Sequence, residues 1–373
     1  MKPFSFDRRS FLRGAGALFS ASLLPHAAEA VSRSDMLFAA TAKTPEGKFV
    51  AVLLDEAMRI VRQIALPDRG HDVTFNPVTG ESVVFARRPG NFALVFSLAG
   101  WVEPRMIIAP QGRHFYGHGV FSQDGKLLYA TENDFGNAVG KVGIFDATDE
   151  FKRIGEYESF GIGPHDILLS PDGKTLVVAN GGIETHPDFG RAKLNLAFME
   201  PNISYINRET GTLLESHSLS PSLNQLSIRH MAMNAKGRVV FGCQYEGAKS
   251  DAPPLVGWSE LGVGIETWDC LQETLCQSEN YVGSVAISPD GLAAAISAPR
   301  DNAFALILVK DGRLLREATM QGVCGLAPAK LGFTASSDKG YMGGLHDGVF
   351  QSDHDLLFDN HMASFNQSTL RSL

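Results

Sequence analysis

The sequence lacks most of the features that mark a catalytic or nucleic-acid-binding protein. Its 373 residues include only four cysteines and three tryptophans, with no C-x-x-C or C-x-x-C-H motif. Covalent c-type haem and C-x-x-C zinc or redox sites are therefore excluded. No G-x-S-x-G elbow, P-loop, H-E-x-x-H or dinucleotide fingerprint stands in a suitable strand-to-helix context. The net charge is -8, and the absence of basic runs speaks against nucleic acid as a partner.

Long apolar runs are also missing, so we expect no membrane span in the mature protein. The N-terminus carries Asp7-Arg8-Arg9-Ser10-Phe11-Leu12-Arg13, an apolar stretch too short for a bilayer, and the cleavage pattern Ala28-Glu29-Ala30. Residues 1–30 are predicted to be a cleaved twin-arginine signal, which the Tat translocase reads during export to the periplasm. Because Tat exports folded proteins, often with a cofactor already in place, the signal favours a metal or cofactor.

Four cysteines in an oxidising compartment permit a disulfide. Cys270 and Cys276 are close enough in sequence to close a small loop, but the spacing leaves their pairing open. Cys243 ends an apolar run, and we expect it to be a buried thiol.

Short apolar strands separated by turns fill the rest of the chain. Each unit has an inner strand, a turn of the Pro-Asp-Gly type, a second strand and one or two more strands. Units of 40–50 residues with four strands are typical of a β-propeller with WD40/YVTN-like repeats. We predict one all-β domain over residues 31–373, a seven-bladed propeller closed by pairing of its N- and C-terminal strands. An insertion covers about residues 181–202.

Four histidines open four copies of the repeat. His71, His118, His165 and His230 are 47, 47 and 65 residues apart. In a closed ring, equivalent positions converge near the axis, and the closing strand would bring His361 there as well. The Ser or Asn before the turn lies five positions after His71 and His165, but four positions after His118 and His230. Either a bulge absorbs this difference, or the two pairs point in different directions.

The ends of the second strands are polar and should share a face with the histidines. We expect a metal site there, with ligands His71, His118, His165, His230 and Glu132. Asp72 or Asp166 would orient an imidazole. Candidate residues for a bound cofactor or anionic ligand on the same rim are Arg87, Asn180, Arg191, Lys193, Gln244 and Arg300. The alternative is structural: each histidine bonds the backbone of a neighbouring blade.

Several motifs spread over residues 35–365 resemble those of the domain-of-unknown-function family 1513. They include Arg87-Arg88-Pro89-Gly90, Tyr129-Ala-Thr-Glu132-Asn133-Asp134, Gly163-Pro-His165 and Ser227-Ile-Arg229-His230. The resemblance implies an exported bacterial propeller that is typically encoded beside imelysin-type iron-uptake lipoproteins and a di-haem peroxidase-like protein. It therefore implies a periplasmic role in iron acquisition, with those proteins as partners.

Three functions stay open from the sequence. The leading hypothesis is a non-enzymatic periplasmic protein that binds a transition metal, iron before copper or zinc, at the histidine rim. The second is an enzyme on a propeller, either a metal-dependent oxidoreductase or a lactonase-like hydrolase. The third is an interaction scaffold without metal.

Overall fold

The computed structural model describes residues 33–98, 103–269, 280–345 and 352–366. The predicted Tat signal and the possible pairing of Cys270 with Cys276 lie outside these residues. Cys243 is a buried free thiol, and burial raises its pKa. Within the described residues, no helix has both the length and the apolar character that a membrane crossing needs.

The chain forms seven four-stranded antiparallel sheets, which are the blades of a propeller. Blade 1 contains β1 (Met36–Lys43), β2 (Phe49–Leu54), β3 (Ile60–Leu66) and the last strand, β28 (Leu357–Asn366). Blade 2 contains β4 (Gly70–Phe75), β5 (Glu81–Ala86), β6 (Phe92–Ser97) and β7 (Arg105–Ile108). Blade 3 contains β8 (Arg113–Phe121), β9 (Leu127–Asp134), β10 (Val139–Asp146) and β11 (Lys152–Glu158). Blade 4 contains β12 (Pro164–Leu169), β13 (Thr175–Asn180), β14 (Asn202–Asn207) and β15 (Leu213–Ser218).

The remaining three blades follow the same order. Blade 5 contains β16 (Leu226–Met233), β17 (Val239–Tyr245), β18 (Val256–Glu260) and β19 (Gly264–Trp268). Blade 6 contains β20 (Ser284–Ile287), β21 (Ala293–Ala298), β22 (Ala303–Leu308) and β23 (Leu314–Thr319). Blade 7 contains β24 (Val323–Ala329), β25 (Gly332–Ser337), β26 (Tyr341–Gly344) and β27 (Ser352–Asp353). The all-β, seven-bladed fold predicted from the repeats is confirmed.

The two ends of the chain close the ring. Strand β28 is the inner strand of blade 1 and pairs antiparallel with β1, where Leu37 lies opposite Phe365 and Ala39 opposite Ala363. It also contacts β4 and β24, the inner strands on either side. Closure removes the free edge that an open ring would expose.

The repeated turns form the hairpins that their sequence predicts. In blade 4 the Ser170 hydroxyl donates to Asp172 Oδ1 (2.6 Å), which also accepts from the Lys174 N–H (3.1 Å). Gly173 takes a φ of +71°, which most other residues avoid. The serine, the aspartate and the glycine therefore each have a defined part in the turn.

Buried apolar side chains fill the interfaces between neighbouring blades. Between blades 2 and 3, for example, the rings of Phe85 and Phe115 pack with their centroids 5.6 Å apart. Similar clusters occupy the other interfaces around the ring. The apolar core is thus divided among the interfaces, while the axis carries polar side chains.

Candidate metal centre

Five buried histidines meet at the propeller axis. They come from the inner strands of five consecutive blades, and we call them the axial histidine cluster: His361, His71, His118, His165 and His230. Each is at most 8% exposed. In eight of the ten pairs within the cluster, the ring centroids are between 4.5 and 6.0 Å apart. The structure therefore brings together all four histidines of the predicted ligand set and adds His361.

A bulge on each of these inner strands sets the direction of the histidines. The pairing register shifts between Gly70 and Val73, between Phe115 and Gly119, and between Pro164 and Asp166. Equivalent shifts occur in β16 and β28. Of the two inner strands without a histidine, β20 pairs with β21 without a shift, and β24 has one between Val323 and Leu326. The bulges absorb the uneven spacing seen in the sequence, so the histidines converge.

Gly117 allows blades 2 and 3 to approach closely. Its φ is +111°, and a Cβ atom there would lie 2.4 Å from His71 Cδ2. Any side chain would strain the backbone and displace the imidazole. The glycine before His118 therefore helps to place the histidine of the preceding blade.

Every histidine of the cluster has at least one buried imidazole nitrogen without a hydrogen-bond partner among the described residues. These atoms are both nitrogens of His230, Nδ1 of His71 and of His165, and Nε2 of His118 and of His361. Burial, and then the neighbouring histidines and arginines, hold the pKa values of His71, His165 and His230 well below the usual range. Burial also lowers the pKa of His361, to about 3. Neutral imidazoles with free lone pairs are the form that binds transition metals.

Two aspartates orient His118. Its Nδ1 lies 3.2 Å from Asp72 Oδ2 and 3.5 Å from Asp166 Oδ1. Asp166 also accepts the backbone N–H groups of Ile167 (2.7 Å) and Met231 (2.8 Å), which fixes its carboxylate. Burial alone would lower the pKa of His118, but the two carboxylates outweigh it and raise that pKa. Nδ1 of His118 is therefore the nitrogen that donates to a carboxylate, and in the neutral ring Nε2 is the acceptor left for the cluster.

The cluster contains two sets of three potential ligands. His71, His118 and His361 form one, and His118, His165 and His230 form the other; within each set the ligand atoms lie within 4.8 Å of one another. Both sets use His118, whose Nδ1 is occupied by Asp72. The single lone pair on Nε2 serves one ion at a time, so the geometry favours one shared centre over two separate ions.

Two predicted site residues lie elsewhere. The carboxylate of Glu132 is fully buried and paired with Arg113 (3.2 Å) and Arg153 (3.0 Å), so the structure does not bring it to the histidines. The side-chain amide of Asn180 donates to the Ser159 carbonyl and to Asn202 Oδ1, both at 2.8 Å. Asn180 therefore holds the polypeptide backbone near the insertion and does not line the site.

A cationic cavity of about 350 Å³ opens onto the cluster, and we call it the vestibule. It includes His71 and His165 at the cluster and five of the six predicted ligand-binding residues, namely Arg87, Arg191, Lys193, Gln244 and Arg300. The sequence prediction omitted the remaining lining residues, Arg88, Tyr116, Arg229, Tyr281, Pro299 and Asn360. Arg229 had a usable signal, because it directly precedes His230 in the repeat.

The insertion contributes to the vestibule wall. It runs between β13 and β14 and contains two short 3-10 helices, Pro187–Phe189 and Leu196–Phe198. Arg191 and Lys193 reach the cavity from the segment between these helices. Lys193 is anchored to Glu246 by an ion pair. The insertion therefore lies on the same face as the histidines.

Comparisons with known proteins agree with this fold. The model of a family described as "Protein of unknown function (DUF1513)" matches residues 64–365. The chain is similar to a solved structure of the Kuenenia stuttgartiensis hydrazine synthase, with a TM-score of 0.61 and 13% identity over 80% of this chain and 91% of that chain. At this identity the likeness concerns the fold alone. A search of curated proteins found no match.

Proposed function

We propose that this chain, which belongs to the DUF1513 family of proteins of unknown function, is a metal-binding propeller that holds one transition-metal ion in the axial histidine cluster. The observation that carries the proposal is the set of buried imidazole nitrogens with no hydrogen-bond partner among the described residues. A buried polar atom without a partner costs about 1–3 kcal/mol. Five such side chains at one point are expensive for the fold unless a ligand satisfies them.

The structural alternative predicts a different hydrogen-bonding pattern. A histidine that staples two blades would bond a neighbouring backbone group, as His354 Nε2 does with the Met58 carbonyl (3.0 Å). Neither nitrogen of His230 has such a bond among the described residues. The pattern at the axis therefore favours metal ligation.

The imidazole ligands favour a divalent transition-metal ion of intermediate hardness. Neutral imidazole suits ferrous iron, copper, zinc and nickel, whereas a hard ferric ion prefers anionic oxygen ligands. Glu132, which would have supplied such an oxygen, is paired with arginines. We propose ferrous iron, which also fits the iron-acquisition role implied by the family resemblance, with copper and zinc as the ions to test against it.

The proposed setting is the periplasm, after export by the Tat translocase. There the propeller would hold the ion and exchange it with imelysin-like or di-haem peroxidase-like proteins of an uptake system. The proposal gives the protein a binding role and assigns no catalytic step to its residues.

Metal binding by a matched pair of variants tests the proposal. The purified chain is stripped with a chelator and titrated anaerobically with Fe²⁺, and in parallel with Cu²⁺ and Zn²⁺. His118→Ala removes the histidine shared by both ligand sets. His217→Ala is the control, because His217 lies on β15 and bonds Ser259 (2.9 Å) and Glu215 (2.8 Å), away from the axis.

We expect one tightly bound ion per chain in the wild type and in His217→Ala, and an affinity at least 100-fold lower in His118→Ala. Circular dichroism shows whether each variant is folded. Absence of binding in the wild type, or equal binding in all three proteins, would contradict the proposal. Elemental analysis of protein from the native host identifies the ion. Copper or zinc in place of iron would overturn the assignment of iron as the bound metal.

A further inference from the structure

The vestibule concentrates positive charge in a protein that is acidic as a whole. The chain carries a net charge of -8, yet the described residues that line the cavity include six cationic side chains and neither aspartate nor glutamate. The cationic residues are Arg87, Arg88, Arg191, Lys193, Arg229 and Arg300. A cleft lined by charge of one sign focuses the electrostatic field and attracts counter-ions.

The nearby carboxylates neutralise only part of this charge. Asp359 is shared by Arg69 and Arg87, and Glu246 is shared by Lys193 and Arg229. Two carboxylates therefore serve four cations. Each of these carboxylates is 5% exposed, and neither belongs to the cavity lining. The carboxylates thus hold these cationic side chains in place from outside the cavity, and Arg87, Lys193 and Arg229 remain in its lining.

Two guanidinium groups of the vestibule have no ion-pair partner among the described residues. Arg88 lies over the ring of Tyr116, with its Cζ 5.8 Å from the centroid, and Arg191 stands on the insertion. Burial and the charges of Arg87 and Arg88 lower the pKa of Arg191. The side chain of Arg229 is 11% exposed, and its Nε atom has no hydrogen-bond partner among the described residues. These groups repel one another unless an anion lies between them.

The other lining groups add hydrogen-bonding capacity and position. The Tyr281 hydroxyl accepts from Asn360 Nδ2 (2.7 Å), and Arg300 lies over the Tyr281 ring at 4.7 Å. Gln244 supplies a side-chain amide. Planar guanidinium groups bind carboxylate and phosphate oxygens in pairs, which a monovalent halide cannot match.

We propose that the vestibule binds a small multivalent oxyanion, a molecule with at least two carboxylate or phosphate groups. Its charged groups would pair with Arg88, Arg191 and Arg229. The cavity volume of about 350 Å³ fits a compact metabolite and excludes a folded protein segment. The second part of the inference rests on the proposed function: since His71 and His165 line the same cavity, one oxyanion group reaches the metal centre and completes its coordination.

Calorimetric titration of the metal-free full chain tests the anion site by itself. Citrate is the carboxylate probe, pyrophosphate the phosphate probe, and acetate the monovalent control. The test variant is Arg88→Gln/Arg191→Gln. Its matched controls are the charge-neutralising variants Lys126→Gln and Lys174→Gln, at turns of blades 3 and 4.

We expect saturable binding of citrate, pyrophosphate or both to the wild type, and at least 100-fold weaker binding of acetate. The double arginine variant should bind at least 10-fold more weakly, and the two lysine variants should behave like the wild type. Affinity should fall as salt is raised. No saturable binding of either probe, or equal affinities in the arginine and lysine variants, overturns the inference.

Repeating the titration with metal-loaded protein separates this inference from the proposed function. Because coupling between two ligands is reciprocal, the anion should tighten metal binding by the same factor as the metal tightens anion binding. Anion binding to a chain that never takes up metal leaves the vestibule assignment standing and refutes the metal centre. Metal binding without anion binding refutes the vestibule assignment alone. Binding of both with no coupling refutes direct contact between anion and metal.

Discussion

Replacing His230 with leucine should stabilise the metal-free protein. The side chain is 3% exposed, and neither ring nitrogen has a hydrogen-bond partner among the described residues. Leucine has a similar volume and no polar atom to desolvate. A buried unpartnered polar group costs about 1–3 kcal/mol, and imperfect packing of the new side chain offsets part of the gain. We expect His230→Leu to raise the free energy of unfolding by a net of about 0.5–2 kcal/mol in the absence of metal.

Two further histidines provide the comparison. His118→Leu leaves the carboxylates of Asp72 and Asp166 near the axis without their imidazole, so it should destabilise the metal-free chain by about 1–3 kcal/mol. His217→Leu removes bonds to Ser259 and Glu215 and should also destabilise. Urea unfolding at pH 8, with chelator, measures all three variants at a pH where the axial histidines with lowered pKa values, His71, His165, His230 and His361, are neutral.

With metal bound, the wild type should become more stable than His230→Leu. A ligand at 100 times its dissociation constant stabilises the folded state by about 2.7 kcal/mol, and His230→Leu forfeits part or all of that. The reasoning is refuted if His230→Leu is clearly less stable than the wild type without metal, and if added metal changes the free energy of unfolding of neither protein. His230 would then be a structural histidine.

Three further predictions concern the support of the site and the response to pH. Asp72→Ala should lower metal affinity about 10- to 100-fold in a competition titration, because His118 loses the carboxylate that fixes its tautomer, and an unchanged affinity would contradict this role. Gly117→Ala should lower the free energy of unfolding by about 1–3 kcal/mol, since alanine is strained at a φ of +111° and its Cβ would clash with His71; unchanged urea unfolding would refute this. The hydrogen bond from Arg113 lowers the pKa of Glu156 from its ordinary value of 4.5 to about 2, so the stabilisation from the Arg113–Glu156 pair is present above pH 4.5 and is lost as the pH falls toward 2. Glu156→Gln should therefore be less stable than the wild type at pH 6 and equal to it near pH 2; a constant difference between the unfolding curves would contradict this assignment.

The repeat and its turns carried enough information to predict the ring. Apolar strands alternate with turns at a regular interval, and the final strand has an inner-strand pattern with no other place in the order. The position of His361 followed from closure, because a strand that completes blade 1 must lie beside the axis. Convergence of the histidines was less secure, because the uneven spacing needed bulges that only the strand pairing reveals.

The direction of individual side chains at the strand ends was the part that the sequence could not give. Side chains alternate between faces, so a one-residue shift decides whether a strand-end residue faces the axis or a neighbouring strand. Glu132 faces Arg113 and Arg153, while Arg229 and Arg88 reach the vestibule. Arg229 could be placed from its position before His230, but no pattern within single strands distinguishes Glu132 from Arg88, because their partners come from elsewhere in the fold.

Anomalous diffraction from crystals of the metal-loaded protein tests the central claim most directly. Data collected on both sides of the absorption edge of the bound element locate that element without assumptions about the ligands. We predict one peak on the propeller axis, about 2.1 Å from Nε2 of His118 and from nitrogens of at least two other cluster histidines. A peak elsewhere on the protein, or no peak at the axis in crystals whose protein contains the metal, would contradict the account.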